Sequence, residues 1–142
     1  MTPTEIDLIR GSWRSVEPIA DVAATLFYDR LFELDPAVRR LFRRTDMESQ
    51  RRNLMQTLTV VVKGIDRLDD LVPAVQALGR RHAGYGVRAE HYDTVGAALL
   101  WTLEAGLGEA LTTDTRDAWA AAYGTLASVM IAAAGEDIEA AA

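Results

Sequence analysis

Apolar residues recur at three- and four-residue intervals along almost the whole chain, and this periodicity constrains the fold more than any other feature. Such spacing places apolar side chains on one face of an α-helix, whereas a half-buried strand would show strict alternation. Nothing suggests strands alternating with helices. The pattern predicts an all-α chain of six or seven helices, over residues 4–16, 20–34, 36–42, 46–64, 71–84, 89–107 and 114–133.

Two features of these predicted helices need separate comment. Thr4, with Asp7 three residues on, is expected to cap the first helix, and Asp35 before Pro36 is expected to cap the third. The run 57–62 is rich in β-branched residues, which favour strands. Because the helical periodicity extends well upstream of this run and no turn residue interrupts it, a helix is predicted here too.

The length and the cysteine content limit the kinds of protein that this chain can be. The 142 residues fit a single domain, residues 1–142, with a frayed tail expected from about residue 135. The absence of cysteine excludes disulfides, thiolate metal sites, a cysteine nucleophile and covalent haem attachment.

Charge and hydropathy bear on the partners. The formal net charge of −6 argues against a general nucleic-acid binder, since such proteins usually carry a basic field. The N-terminus lacks the basic start and apolar run of a signal peptide, and no apolar stretch approaches the roughly 20 residues of a membrane span. We expect a cytoplasmic protein with no nucleic-acid or membrane partner.

Three polar residues occupy positions where the helical pattern calls for apolar ones: His82, Gln50 and Tyr28. Each alone is compatible with an ordinary core or edge residue whose polar group finds a partner inside the fold. Together they suggest a shared cavity, because three different helices each present one polar group to the interior. Its apolar wall is expected to consist of Phe42, Leu54, Leu58 and Val87. A neutral imidazole in such surroundings can bind haem iron.

Several segments, in this order, resemble globins. The most specific is Leu78-Gly79-Arg80-Arg81-His82-Ala83-Gly84-Tyr85-Gly86-Val87, followed by Glu90-His91-Tyr92. Further matches are Leu26-Phe27-Tyr28, Asp35-Pro36 with Leu41-Phe42, Gln50 with Leu54-Met55, Val95-Gly96 with Leu99-Leu100, and Ala118-Trp119 with Tyr123-Gly124. The likeness is to single-domain bacterial globins and the globin part of flavohaemoglobins, with some likeness to neuroglobin.

The resemblance implies a globin fold, a three-over-three helical sandwich around non-covalently held haem b. Carried over by position, His82 would be the iron ligand on the proximal side, and Tyr28 and Gln50 would form the distal pair. Because glutamine stands where neuroglobin places an iron-binding histidine, a pentacoordinate ferrous state is expected. The remaining pocket residues would be Phe42 against the porphyrin, Leu54 over the iron, Leu58 and Val87 in the wall, and Tyr92 behind His82.

The chain departs from the flavohaemoglobin pattern at one position. The glutamate that would pair with the proximal histidine falls on Ala134, and Glu136 lies two residues further on. Without that carboxylate, His82 is expected to donate only to a backbone carbonyl one turn earlier. Reversible ligand storage would then be favoured over peroxidase-like activation.

The resemblance implies reversible binding of oxygen and other diatomic ligands, such as nitric oxide. Two alternatives remain open: a nitric oxide dioxygenase working with a separate reductase, and a haem-free globin-like module for sensing or protein interaction. Enzymatic activity is thus undecided by the sequence. His91 is interpreted as a solvated or capping residue. Six arginines form either a solvated face or partners for haem propionates or an acidic reductase: Arg39, Arg40, Arg43, Arg44, Arg51 and Arg52.

Overall fold

The computed structural model describes the backbone of residues 1–141 and the side chains of residues 1–135. Within that part of the chain all regular structure is helical, as predicted. The α-helices are α1 (Pro3–Val16), α2 (Ala20–Leu34), α3 (Met47–Lys63), α4 (Leu68–Gly84), α5 (Ala89–Leu107) and α6 (Thr113–Ala141). Four short 3₁₀ helices connect them: Glu17–Ile19, Pro36–Phe42, Ile65–Arg67 and Gly108–Ala110.

Most helix boundaries agree with the predictions, but three differ. Helix α4 begins at Leu68 and not near Leu71, and α6 continues to Ala141, past the predicted end near Ala133 and through the tail that was expected to fray. The third difference is the first cap. Thr2, not Thr4, caps α1: its hydroxyl accepts from Glu5 N at 3.1 Å, and the Glu5 carboxylate accepts from Thr2 N at 3.0 Å. Pro3 explains the difference, since proline suits the first helical position, where no backbone N–H is needed. Asp35 caps its 3₁₀ helix as predicted and accepts from Ala37 N at 3.2 Å.

The β-branched run of residues 57–62 is helical, as predicted, and tertiary contacts explain why. Thr59 Oγ1 donates to Met55 O at 2.8 Å and accepts from Trp13 Nε1 at 3.1 Å. Val62 is buried in the same core. The run therefore packs one face against α1, which outweighs its weak preference for strands.

Two apolar cores are present, and the candidate site lies between them. The larger core joins α1, α2, α3, α5 and α6 and contains Trp13 and Trp119, whose ring centroids lie 5.9 Å apart. The smaller core joins α4, α6 and the start of α5 around Val75, Tyr92 and Met130. Helix α4 packs mainly on α6, and α3 packs on α2 and α1.

Among the described residues, α3 and α4 make little contact with each other along their lengths. They approach at one end, where a methyl group added to Gly64 would lie 2.9 Å from Leu71 Cδ1. At the other end, a Cβ on Gly86 would lie 3.3 Å from Leu41 Cδ2. Apolar side chains of α3 and α4 remain only half-buried between these two points, so an apolar cleft separates the helices.

The hydropathy of helix α6 differs from the expectation that no apolar stretch approaches the length of a membrane span. Its segment Thr113–Gly135 is long and apolar enough, by length and composition alone, to cross a membrane, so the expectation that no stretch approaches that length is wrong. Trp119 and Ala122 in this segment are buried in the larger core, and Met130 is buried in the smaller one. The apolar composition of the helix is therefore used in packing between the two cores.

Candidate functional site

Tyr28 and Gln50 are brought together at one wall of the cleft. Tyr28 lies on α2 and is 5% exposed, and Gln50 lies in the first turns of α3. Gln50 Nε2 donates to Tyr28 Oη at 3.1 Å. Since the tyrosine oxygen accepts this bond, the hydroxyl proton remains available to a further acceptor. The pair therefore offers one oriented O–H donor, held in place by an amide.

Burial keeps that hydroxyl protonated. Desolvation raises the pKa of Tyr28 above its usual value, while the bond from Gln50 and the charge of Arg51 oppose the shift. The sequence pattern did not single out Arg51 for this role.

An aromatic cluster supports Tyr28. Its ring contacts Phe42 at 5.6 Å with the planes at 72°, and Phe32 lies 6.1 Å from Tyr28 and 5.6 Å from Phe42. Edge-to-face contacts of this kind favour a fixed ring orientation. Phe32 was missed in the sequence, although its position four residues after Tyr28 places both on one helix face.

His82 lies on α4 with its ring half-buried. His82 Nδ1 lies 2.8 Å from Leu78 O, one turn earlier, as expected. A carbonyl can only accept, so Nδ1 carries the proton and Nε2 keeps its lone pair. Burial lowers the pKa of His82, the bond to Leu78 opposes the shift, and the charge of Arg81 adds to it. The ring is therefore a neutral imidazole with one free nitrogen, as a metal ligand must be.

A short path of contacts links the tyrosine wall to the histidine wall. Phe42 touches Tyr28, and its neighbour Leu41 lies against Gly86. Val87 N donates to His82 O at 3.0 Å. The segments that carry Phe42 and Val87 thus meet through their neighbours Leu41 and Gly86.

The predicted apolar wall is distributed over both sides of the cleft. Leu54 and Leu58 are half-buried on α3 and pack against the larger core, as does Phe42. Val87 is half-buried and packs against the smaller core. None of the four is fully covered by protein, which leaves apolar surface available to a flat apolar group.

Tyr92 lies in the smaller core and has an unusual hydroxyl. The side chain is buried, yet its Oη finds no hydrogen-bond partner among the described residues. Burial raises the pKa of Tyr92. Tyr123 Oη donates instead to the backbone carbonyl of Tyr92, at 2.6 Å. Ala134 supplies no carboxylate to this region, and the side chain of Glu136 lies outside the described residues.

His91 and the six arginines singled out in the sequence do not belong to the group formed by Tyr28, Gln50 and His82. His91 Nδ1 accepts from Arg88 N at 2.9 Å, so it caps the start of α5, which is one of the two roles expected for it. Arg39, Arg40, Arg43, Arg44 and Arg52 are exposed, and Arg51 is half-buried.

A second depression lies elsewhere. It is a groove of about 530 Å³ between α2, α5 and α6. Its lining includes Arg30 and Arg116 as well as Asp93 and Glu104, but none of Tyr28, Gln50 and His82. This groove is therefore separate from the cleft that the sequence predicted.

The residues of the cleft fit the haem that the resemblance implies. Helix α4 supplies a neutral imidazole with a free Nε2, and α2 supplies an O–H donor. The half-buried apolar side chains of the predicted wall are available to the faces of a porphyrin. No group of three or more His, Cys, Asp or Glu residues suited to a metal ion occurs in the described part of the chain. A single-histidine site is what this donor set allows.

Comparisons with known proteins point to one family. The sequence profile of the Globin family matches residues 25–130. Flavohemoprotein of Bordetella parapertussis is 39% identical over 133 residues, which are 92% of this chain and 33% of that protein. Flavohemoprotein of Bacillus subtilis is 31% identical over 128 residues, 89% of this chain and 32% of that protein. The chain thus spans about a third of the length of these curated relatives.

Solved structures with the same fold cover nearly the whole chain. A bacterial globin from Campylobacter jejuni superposes with a TM-score of 0.85 at 26% identity and covers 97% of this chain and 99% of that one. An engineered carbene transferase, made from a candidate nitric oxide dioxygenase of Rhodothermus marinus, superposes with a TM-score of 0.87 at 26% identity, over 99% and 97% of the two chains. With its all-helical structure and single-histidine cleft, the chain belongs to the globin family.

Proposed function

We propose that this globin holds haem b in the cleft between α3 and α4 and binds oxygen and other diatomic ligands reversibly. The observation that carries the proposal is the state of these polar groups: Gln50 donates to Tyr28 at 3.1 Å, and His82 keeps a free Nε2. Bound haem would supply an iron with one ligand position left for a diatomic molecule.

The distal residues would select and retain the ligand. The Tyr28 hydroxyl would donate to a ligand oxygen that carries partial negative charge, a bond that contributes about 1.5–3 kcal/mol. Gln50 would act through Tyr28, because in this arrangement its amide donates to the tyrosine oxygen and not to the ligand. Leu54 and Leu58 would limit the access of water.

The proximal side favours storage over activation. His82 donates to an uncharged carbonyl, which raises the basicity of the imidazole less than a carboxylate would. A less basic ligand pushes less electron density toward the bound oxygen, and this slows cleavage of its O–O bond. Reversible release therefore fits the contacts of His82 better than peroxidase-like chemistry.

Absorption spectroscopy of the protein purified with haem available tests this proposal. We expect a Soret band that shifts when the reduced protein meets oxygen and returns when oxygen is removed. The variant His82→Ala should lose the pentacoordinate ferrous spectrum of the wild type. Absence of a Soret band would overturn the haem proposal and favour the haem-free alternative, and so would a spectrum that His82→Ala leaves unchanged.

Nitric oxide dioxygenation is a second candidate function. Its support is the likeness to proteins named flavohemoprotein and to the candidate dioxygenase from Rhodothermus marinus. The globin family profile matches residues 25–130 of this chain, and we propose that the electrons for this reaction come from a separate reductase. Nitric oxide consumption, measured in oxygenated buffer with and without an added flavin reductase, distinguishes the two. Sustained turnover only with the reductase would support dioxygenation, and a single stoichiometric turnover in both cases would favour the carrier.

A further inference from the structure

The structure concentrates positive charge beside the distal wall of the cleft. Residues 36–52 hold six arginines and no lysine, against only two carboxylates, in a chain whose net charge is −6. We call the side chains of Arg39, Arg40, Arg43, Arg44, Arg51 and Arg52 the arginine patch. Five of the six are exposed.

Few of these charges are used inside the protein. No ion pair within the described part of the chain involves the patch. Arg39 lies over the ring of Phe32 at 5.0 Å, and Arg52 donates to Ser49 Oγ at 3.2 Å. The nearby carboxylate of Asp46 is held by Glu48 N and by Ser49 Oγ, which donates to it at 2.8 Å. Most of the guanidinium groups therefore keep their hydrogen-bond donors for an external partner.

The patch is attached to the ligand-binding wall. Phe32, under Arg39, contacts both Tyr28 and Phe42. Arg51 lies close enough to affect the pKa of Tyr28. A partner bound to the patch would thus lie next to the cleft.

From these contacts and charges we infer that the arginine patch is the docking surface for the acidic face of a separate electron-donor protein. The inference rests on the proposed function, since haem iron that has been oxidised needs one electron from outside. The donor is a reduced flavoprotein: its flavin hydroquinone loses one electron and one proton to become the neutral semiquinone, and ferric iron becomes ferrous.

Charge complementarity favours a protein over other polyanions. Guanidinium groups pair with carboxylates in a bidentate way, and arginine is the only basic residue type in the patch. A long polyanion such as DNA, or an anionic membrane, would extend beyond the patch and meet the acidic remainder of the surface. A protein with a localised acidic face would not. Haem has two propionates, which would occupy only a minority of six arginines.

The test measures complex formation and electron transfer with a reduced, strongly acidic flavodoxin as the probe. Fluorescence anisotropy of the labelled flavodoxin reports its binding to the ferric protein. Stopped-flow absorbance reports haem reduction. Both measurements are made at salt concentrations from about 10 mM to about 0.5 M. Over this range the screening length of electrostatic interactions falls from about 30 Å to a few ångströms. We expect binding and reduction rate to fall more than tenfold across this range.

The decisive variant is Arg43→Glu with Arg44→Glu. It should weaken flavodoxin binding and slow haem reduction more than tenfold at low salt. The matched control, Arg14→Glu with Arg116→Glu, makes the same change of charge at exposed arginines of α1 and α6 that form no ion pair with any described side chain. It should change both quantities less than twofold. Reduction by neutral lumiflavin semiquinone should be the same in all three proteins.

Several outcomes would overturn the inference. Equal losses in the two double variants would show an effect of net charge alone, and unchanged binding by the Arg43 and Arg44 variant would show that the patch is not used. Tighter binding at about 0.15 M salt to a DNA duplex, or to vesicles with about 30% phosphatidylserine, would assign the patch to another partner.

A second variant and a spectroscopic control keep the test decisive. If the first pair disturbs haem binding, Arg40→Glu with Arg52→Glu removes the same charge at other positions of the patch. Loss of the Soret band or of the oxygen-induced shift in the wild type would refute the proposed function itself. A normal oxygen complex without salt-dependent flavodoxin binding would refute only the docking inference.

Discussion

The hydroxyl of Tyr28 and the amide of Gln50 are joined by a hydrogen bond in which the amide is the donor. The amide donates to the hydroxyl oxygen, so the hydroxyl is left to donate to a ligand. The two side chains therefore have different roles, although they lie side by side. One is expected to touch the ligand, and the other is expected to hold the first in place.

The oxygen dissociation rates of variants at Tyr28 and Gln50 should reveal these different roles. Tyr28→Phe should speed oxygen dissociation more than tenfold, because a bond of about 1.5–3 kcal/mol to the ligand is lost. Gln50→Ala should speed it about 2- to 10-fold, as expected for loss of a neutral bond of about 0.5–1.5 kcal/mol. In the Tyr28→Phe background, Gln50→Ala should add almost nothing. Stopped-flow displacement of oxygen by carbon monoxide measures the dissociation rate of the wild type, the two single variants and the double variant. Additive effects of the two substitutions would contradict the proposal that Gln50 acts through Tyr28.

Two tyrosines of the smaller core provide a matched comparison. Tyr92 Oη is buried without a partner among the described residues, whereas Tyr123 Oη donates to the carbonyl of Tyr92. Tyr92→Phe should therefore leave the free energy of unfolding unchanged or raise it. Tyr123→Phe should lower it by about 1–3 kcal/mol, because the carbonyl of Tyr92 loses its donor. Urea unfolding of the haem-loaded protein measures both, and a loss on Tyr92→Phe would reveal a partner such as Glu136.

At the scale of helices, α4 and α6 come very close at one crossing. A Cβ on Gly79 would lie 2.5 Å from Met130 O, so the two backbones nearly touch there. Only glycine permits this distance. Gly79 belongs to the globin-like segment around His82, but periodicity alone did not reveal which helix lies against it.

Substitution at this crossing should separate the helices. Gly79→Ala should lower the free energy of unfolding by about 1–3 kcal/mol and weaken haem retention, since α4 carries His82. Gly124→Ala, inside α6 with open space around its Cβ position, should stabilise the protein by up to about 1 kcal/mol. Urea unfolding and the rate of haem transfer to an acceptor globin measure these effects. A stable Gly79→Ala protein with normal haem retention would show that the backbones can move apart without cost.

At the scale of the whole molecule, the two cores share Tyr123 at their boundary and leave α3 and α4 with little contact. Haem is expected to fill that space and join the cores. The haem-free protein should thus retain the contact between Trp13 and Trp119 while losing order around the cleft.

Hydrogen exchange of the haem-free protein should show this division. Amides of residues 36–63 and of α4 should lose at least about tenfold in protection when haem is removed, because they line the cleft. Amides of α1 and of α6 near Trp119 should change much less. Uniform loss across all helices would contradict the picture of two cores, and so would no loss anywhere.

The helical class and the principal candidate residues could be predicted from the sequence. Apolar spacing is a local property that follows from helix geometry, so a polar residue on an apolar face is visible in the sequence alone. His82, Gln50 and Tyr28 were found this way. The bond from His82 to Leu78 was also predictable, since a carbonyl four residues earlier is within reach on any helix.

Tertiary structure alone decided which groups meet. The bond from Gln50 to Tyr28 spans 22 residues, and the approach of Gly79 to Met130 likewise joins different helices. The failed expectations at Thr4 and in the hydropathy of α6 have a different origin, because Pro3 and the apolar composition of residues 113–135 are local features of the sequence. Periodicity shows which face of a helix turns inward, but close packing between distant segments determines what that face touches.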